Sequence, residues 1–328
     1  MKSLLAFLLW LGMAQAYAQA GVVTSVDVLE KTQRPDTILV INLSRSQGTK
    51  LTAIPESVRR CIHLKELLLA DQQIAAVPRW VSKLDSLKRM DFSRNPIQPD
   101  QVKFRRNRHV ESITLADCAL RQFPKQLQRN KALKDIVLNN NTIETFPKQL
   151  CRMQSLRMIG LYHNQLSSLP ARLKQLQSLT YIDLYYNRFR EFPAVLCKIP
   201  SQRSLAISYN QIDRIPEEIA QLTELHEIYL RGNRLTSLPE NLKQLNAVTV
   251  LCISENAFTA IPPVVLEMSN LTELDISNNL IKQLPAGLLQ LDHLKTLFIK
   301  DNPLSYPNYQ DYIRLLGEIR RQGTTIHE

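Results

Sequence analysis

The chain has 328 residues, is 44% hydrophobic and 22% charged, and carries a formal net charge of +11. That length suits two globular domains or one repeat array. The basic excess is scattered, with Arg105, Arg106, Arg108 and His109 the one tight cluster, which argues against a nucleic-acid-binding protein. Five cysteines (Cys61, Cys118, Cys151, Cys197 and Cys252) are odd in number and lack short paired spacing, so they do not make a disulfide framework. No Cys/His cluster offers a metal site, and no Gly-rich phosphate loop is present, so neither a metal nor a cofactor is expected.

The first element is a leader. Lys2 supplies a positive start, Leu4 to Met13 an apolar run, and Ala16-Tyr17-Ala18 or Ala18-Gln19-Ala20 a small-x-small cleavage pattern. Residues 1–20 therefore read as a signal peptide, too short to span a bilayer comfortably. Export to the medium or periplasm follows, with no membrane span in the mature chain. Residues 21–37 read as an N-terminal cap, with the first strand near Asp36 to Leu43.

From there to residue 305 the chain is periodic. Asparagine recurs every 23 residues at Asn141, Asn164, Asn187, Asn210, Asn233, Asn256, Asn279 and Asn302. The register extends backwards through Cys118, Asn95 and Gln72. Proline keeps the same period at Pro124, Pro147, Pro170, Pro193, Pro216, Pro239, Pro262 and Pro285. Around Asn164, the residues Ile159 and Leu161 alternate with outward positions, as in a strand. Leu173 and Leu176, three apart after Pro170, suit a short helical or 3₁₀ return. One such unit cannot bury its own apolar face. Stacked units share a core, with strands in a parallel sheet at roughly 4.8 Å spacing. At the strand-to-loop turn a carboxamide, both donor and acceptor, is suited to bridging neighbouring coils, and a cysteine is a poorer substitute.

The pattern departs from itself in places. Ser44 to Lys50 are extra. Between Asn95 and Val110, Asp100 and Gln101 replace the Leu-Pro pair and Asn107 an apolar position, so an irregular convex loop is expected there. Gln202 stands where leucine is due. Tyr309, Tyr312, Ile313, Leu316 and Ile319 have helical spacing, which predicts a capping helix within residues 306–328.

The line Leu-x-x-Leu-x-Leu-x-x-Asn-x-Leu-x-x-Leu-Pro, seen at 156–170 (LRMIGLYHNQLSSLP) and 225–239 (LHEIYLRGNRLTSLP), resembles the typical 23-residue class of leucine-rich-repeat proteins, here of an exported, bacterial type. The resemblance spans residues 38–305, about a dozen repeats. It implies an α/β solenoid: a horseshoe with a parallel concave β-sheet, short helical or 3₁₀ convex segments, and a concave ligand-binding surface. The resemblance extends to a group that includes intracellular, small-GTPase-associated scaffolds, from which the leader departs.

Strand alternation places the outward residues six, four and two before each asparagine, with the residue just before it at the rim. In the middle repeats these are Tyr162 and His163; Tyr181, Asp183, Tyr185 and Tyr186; Tyr209; and Tyr229 and Arg231. Six of the ten tyrosines fall in four consecutive repeats. Strand propensity would scatter them, whereas an interface concentrates them, since tyrosine buries much area and keeps a polar tip. His163 and Asp183 sit on neighbouring strands, a pair suited to acid–base chemistry, but no nucleophile accompanies them and Cys252 lies four repeats from His163. The expected function is non-catalytic: binding of a protein or peptide outside the cytoplasm. Binding of a glycan or matrix component is an alternative, and an intracellular scaffold is another if the leader is retained.

Overall fold

The coil around Asn164 shows how the repeat folds. Leu156, Ile159, Leu161, Leu166, Leu173 and Leu176 are all fully buried, as is most of Asn164, while Arg157, His163, Ser167 and Ser168 are exposed. Met158–Gly160 pairs as a strand. Pro170 stands just before the return, as the residue preceding the 3₁₀ turn Ala171–Gln175 and not within it. The turn closes by i→i+3 bonds, the habit of short helical pieces: Leu173 N donates to Pro170 O (2.9 Å) and Leu176 N to Leu173 O (3.0 Å). Most of the described coils repeat this scheme; Pro263–Leu266 forms an α-helical turn instead.

The computed structural model describes residues 21–44 and 49–328. The signal-peptide segment and the centre of the extra Ser44–Lys50 stretch lie outside the described residues. Two compact units are distinguished, residues 21–118 with 124–133, and residues 119–123 with 134–328.

In the first unit the strands β1 (Val22–Val23), β2 (Val40–Asn42), β3 (Glu66–Leu68), β4 (Arg89–Asp91) and β5 (Ser112–Thr114) pair in parallel in chain order. The sheet thus begins before the strand expected near Asp36 to Leu43, because Gly21 O accepts from Leu39 N and Val40 N. Helix α1 (Val26–Lys31) follows β1, capped by Ser25 and buried through Leu29. Residues 96–109 carry no helical return. Asn107 is buried there because its bonds are made: Nδ2 donates to Leu84 O, Oδ1 accepts from His109 N and Val110 N, and its own amide donates to Asn130 Oδ1.

In the second unit β6 (Asp135–Val137), β7 (Met158–Gly160), β8 (Tyr181–Asp183), β9 (Ser204–Ala206), β10 (Glu227–Tyr229), β11 (Val250–Cys252), β12 (Glu273–Asp275), β13 (Thr296–Phe298) and β14 (Thr325–His327) pair in parallel, each with the next. Helix α2 (Pro263–Leu266) lies between β11 and β12. Helix α3 (Tyr309–Arg321) buries Leu316 and Ile319 but leaves Tyr309 65% and Ile313 44% exposed, so only part of its apolar spacing faces the core. The chain then returns to the sheet, a step the sequence does not signal: β14 joins β13, with Thr324 Oγ1 bonded to Leu294 O (2.7 Å).

The asparagines form the ladder that joins coil to coil. Asn187 Oδ1 accepts from Leu166 N (2.9 Å), and Nδ2 donates to Leu161 O, Leu184 O and Tyr185 O. Asn164, Asn210, Asn233, Asn256 and Asn279 repeat this pattern, and each bonds the amide two residues after the asparagine before it. Asn141 bonds Leu120 N and Leu138 O, and Asn302 bonds Ile281 N, Ile276 O and Ile299 O. At Cys118 the thiol donates to Phe92 O and Ala116 O. Ile97 N, which a carboxamide would take, turns to Asn95 O (2.8 Å).

Candidate functional site

Pairing register sets the outward rows of the second unit. Met158, Tyr181, Ser204, Glu227, Val250 and Glu273 lie side by side, as do Gly160, Asp183, Ala206, Tyr229, Cys252 and Asp275. The residue before each asparagine has a left-handed backbone: His163 at φ 51, Tyr186 at 52, Tyr209 at 52, Gly232 at 65 and Glu255 at 52. A non-glycine residue there costs roughly 1–2 kcal/mol. Two consecutive coils nevertheless carry tyrosine.

Those two rings stack, 4.2 Å apart and 7° from parallel. Tyr162 meets Tyr186 edge to face at 5.5 Å, and His163 lies against both. Arg231 stands 5.6 Å from the Tyr209 ring and is ion-paired to Glu255. Gly232 makes room: a Cβ there would come within 2.5 Å of Tyr209 Cδ1. Tyr162, His163, Tyr186, Tyr209 and Arg231 thus form one rim cluster. Glu255 belongs to it and was not singled out from the sequence, though it occupies the same position of its repeat.

The other site residues form a second, inner cluster. Tyr185 and Tyr229 meet at 6.3 Å, edge to face. Their strands are two steps apart, about 9.6 Å at sheet spacing, so the rings lean towards each other over β9. Beneath them Ser204, Ala206 and Ser208 are small and buried. Asp183 accepts from Tyr185 N (3.1 Å); burial pushes its carboxyl up to about 6, against that bond and one from Tyr181. Burial also raises the Tyr181, Tyr185 and Tyr229 hydroxyls.

The six tyrosines are therefore not one exposed patch. Tyr186 is 40% exposed and the rest are half-buried. The acid–base pair does not form either. His163 packs on Tyr162 and Tyr186 at the rim, while Asp183 bonds inward. The Cys252 thiol, beside Ser254 and Asp275, is pushed up to about 12 by burial and the Asp275 charge, which suppresses the thiolate. Cys61, Cys118, Cys151 and Cys197 are buried thiols. Among the described residues no group of three or more His, Cys, Asp or Glu is placed to hold a metal ion.

Family models described as leucine rich repeat match residues 108–166, 224–245 and 246–304, segments whose ladder bonds are given above. The chain is a leucine-rich-repeat protein. No curated protein matches it. Solved structures of other leucine-rich-repeat proteins do, at identities where the likeness is one of fold. A leucine-rich-repeat protein of Leptospira interrogans superposes with a TM-score of 0.68 at 23% identity, over 93% of this chain and 86% of that one. An internalin of Listeria monocytogenes gives 0.71 at 19%, over 89% and 80%. A plant peptide hormone receptor in complex with RGF2 gives 0.60 at 20%, over 86% of this chain and 50% of the receptor. No helix among the described residues of this leucine-rich-repeat protein is long and apolar enough to cross a membrane.

Proposed function

We propose that the chain is a non-catalytic module that binds a protein or peptide outside the cytoplasm, on the strand face of β7 to β10. One observation carries this reading. Tyr186 and Tyr209 occupy left-handed positions where Asn, Asp or Gly costs less, and folding alone gives no reason to place stacked tyrosines there. Tyrosines at such a cost suit a contact surface. The leader at 1–20 supports export, with 21–37 and 306–328 as caps around repeats 38–305. The fold neighbour solved with RGF2 shows that such a solenoid holds a ligand in that protein. The unpaired His163 and Asp183 and the raised Cys252 thiol support a role without catalysis.

The test is capture from the exported proteome by the full chain and by Tyr185→Ala/Tyr229→Ala, with a glycan array run in parallel. Retained unfolding behaviour with lost capture supports the reading. Capture that survives the double change refutes the site, and binding confined to glycans refutes the ligand class.

A further inference from the structure

The face over β8 to β12 has the wrong charge for the molecule that carries it. The chain has 41 Lys and Arg against 30 Asp and Glu, yet in the outward rows of these five strands stand Asp183, Glu227, Glu273 and Asp275. None of the four has an ion-pair partner among the described residues, although Arg231 pairs with Glu255 and Lys243 with Glu267 elsewhere in the same unit. Arg231 is the basic residue of this face and is already engaged. Arg157 and Arg203 stand outside the rows, just before β7 and β9.

A second observation lies among these acids. The Ser204 side chain stands in the outward row of β9, 8% exposed, and its hydroxyl has no hydrogen-bond partner among the described residues. Buried polar groups in folded proteins are nearly always satisfied. Carboxylates without an ion-pair partner, the orphaned Ser204 hydroxyl and tyrosine rings together ask for a donor-rich cation. An ammonium or guanidinium pairs with the acids, donates to that hydroxyl and stacks on the rings.

Resting on the strand-face reading above, we propose that the surface over β8 to β12 takes an extended, positively charged segment of a partner protein. Spacing sets the pattern. Glu227 and Glu273 are two strands apart, about 10 Å, and Asp183 and Asp275 four strands, about 19 Å. An extended chain rises about 3.3 Å per residue, so the acids meet basic residues about three apart over some six residues. The Tyr185 and Tyr229 rings part to admit the first of them to β9.

The experiment uses the full chain and three fluorescent pools of nine-residue peptides. One has Lys at every third position, one acetyl-lysine and one Glu, the other positions being randomised alike. Anisotropy is expected to give at least tenfold tighter binding of the Lys pool than of the acetyl-lysine pool, weakening with salt, and the weakest binding with Glu. Asp183→Asn/Glu227→Gln/Glu273→Gln/Asp275→Asn is expected to erase the preference, and Asp183→Glu/Asp275→Glu, which keeps the charges, to retain it. Equal binding of the three pools, preference for Glu, absence of binding, or a Lys preference that survives the neutral variant overturns the inference. The strand-face reading then stands or falls separately, on capture by Tyr185→Ala/Tyr229→Ala.

Discussion

Replacing Asn187 by Ala isolates what one rung of the ladder contributes. Its three carbonyl partners each keep another donor: Leu161 O retains Asn164 Nδ2, Leu184 O retains Asn210 Nδ2, and Tyr185 O retains His163 N. Leu166 N has no such substitute, since Asn187 Oδ1 is its acceptor. An orphaned buried amide costs about 1–3 kcal/mol, and each of the weakened bonds a further fraction of about 1 kcal/mol. The expected loss is therefore about 2–4 kcal/mol in urea unfolding. Native-state hydrogen exchange should also show the Leu166 amide losing protection more than its neighbours. A change below about 0.5 kcal/mol, or unaltered exchange at Leu166, would refute the ladder as a source of stability.

Other substitutions separate the remaining contributions. Cys118→Asn should change stability by less than about 1 kcal/mol, because Ile97 N is already bonded to Asn95 O and the new carboxamide finds no orphan to rescue; urea midpoints decide. Gly232→Ala places a side chain at φ 65 and against Tyr209, so about 1–3 kcal/mol should be lost and the Tyr186 and Tyr209 ring resonances should shift together in NMR spectra. Asp183→Asn keeps the acceptor for Tyr185 N and removes the charge. A carboxyl held near 6 instead of 3.8 stabilises the fold fully below pH 4 and loses that contribution as pH rises through 6. The variant should therefore match the parent near pH 4 and exceed it by about 3 kcal/mol at pH 8; equal stability at both pH values would contradict the buried charge. Mass measurement of the chain purified from the cells that make it should place its first residue just after Ala18 or Ala20, and an intact Met1 would end the export reading.

The candidate site was legible in position and not in arrangement. Counting back from each asparagine finds Tyr181, Tyr185 and Tyr229, because strand alternation is a local rule. The same count includes Glu227, Glu273 and Asp275, which go unremarked beside tyrosines when the repeat is read as text. Their meaning depends on which cations stand nearby in space. The division into rim and inner clusters was hidden for the same reason: the residue before each asparagine turns left-handed, and that sends Tyr186 and Tyr209 along the rim while Tyr185 leans across β9.

The 23-residue recurrence of asparagine, proline and leucine determined the coil, its strand and a short return left open between helical and 3₁₀, because each repeat meets a copy of itself and any regularity in one dimension becomes contact in three. Where the copies differ, only the tertiary structure decided the outcome. It gave Cys118 a bypass through Asn95 and buried Asn107 with its bonds complete. It added β1 and β14 to the sheet from segments outside the period. It also set acids, an orphaned hydroxyl and leaning rings on one face. Those arrangements depend on distances between residues of unlike coils, which a periodic sequence does not encode.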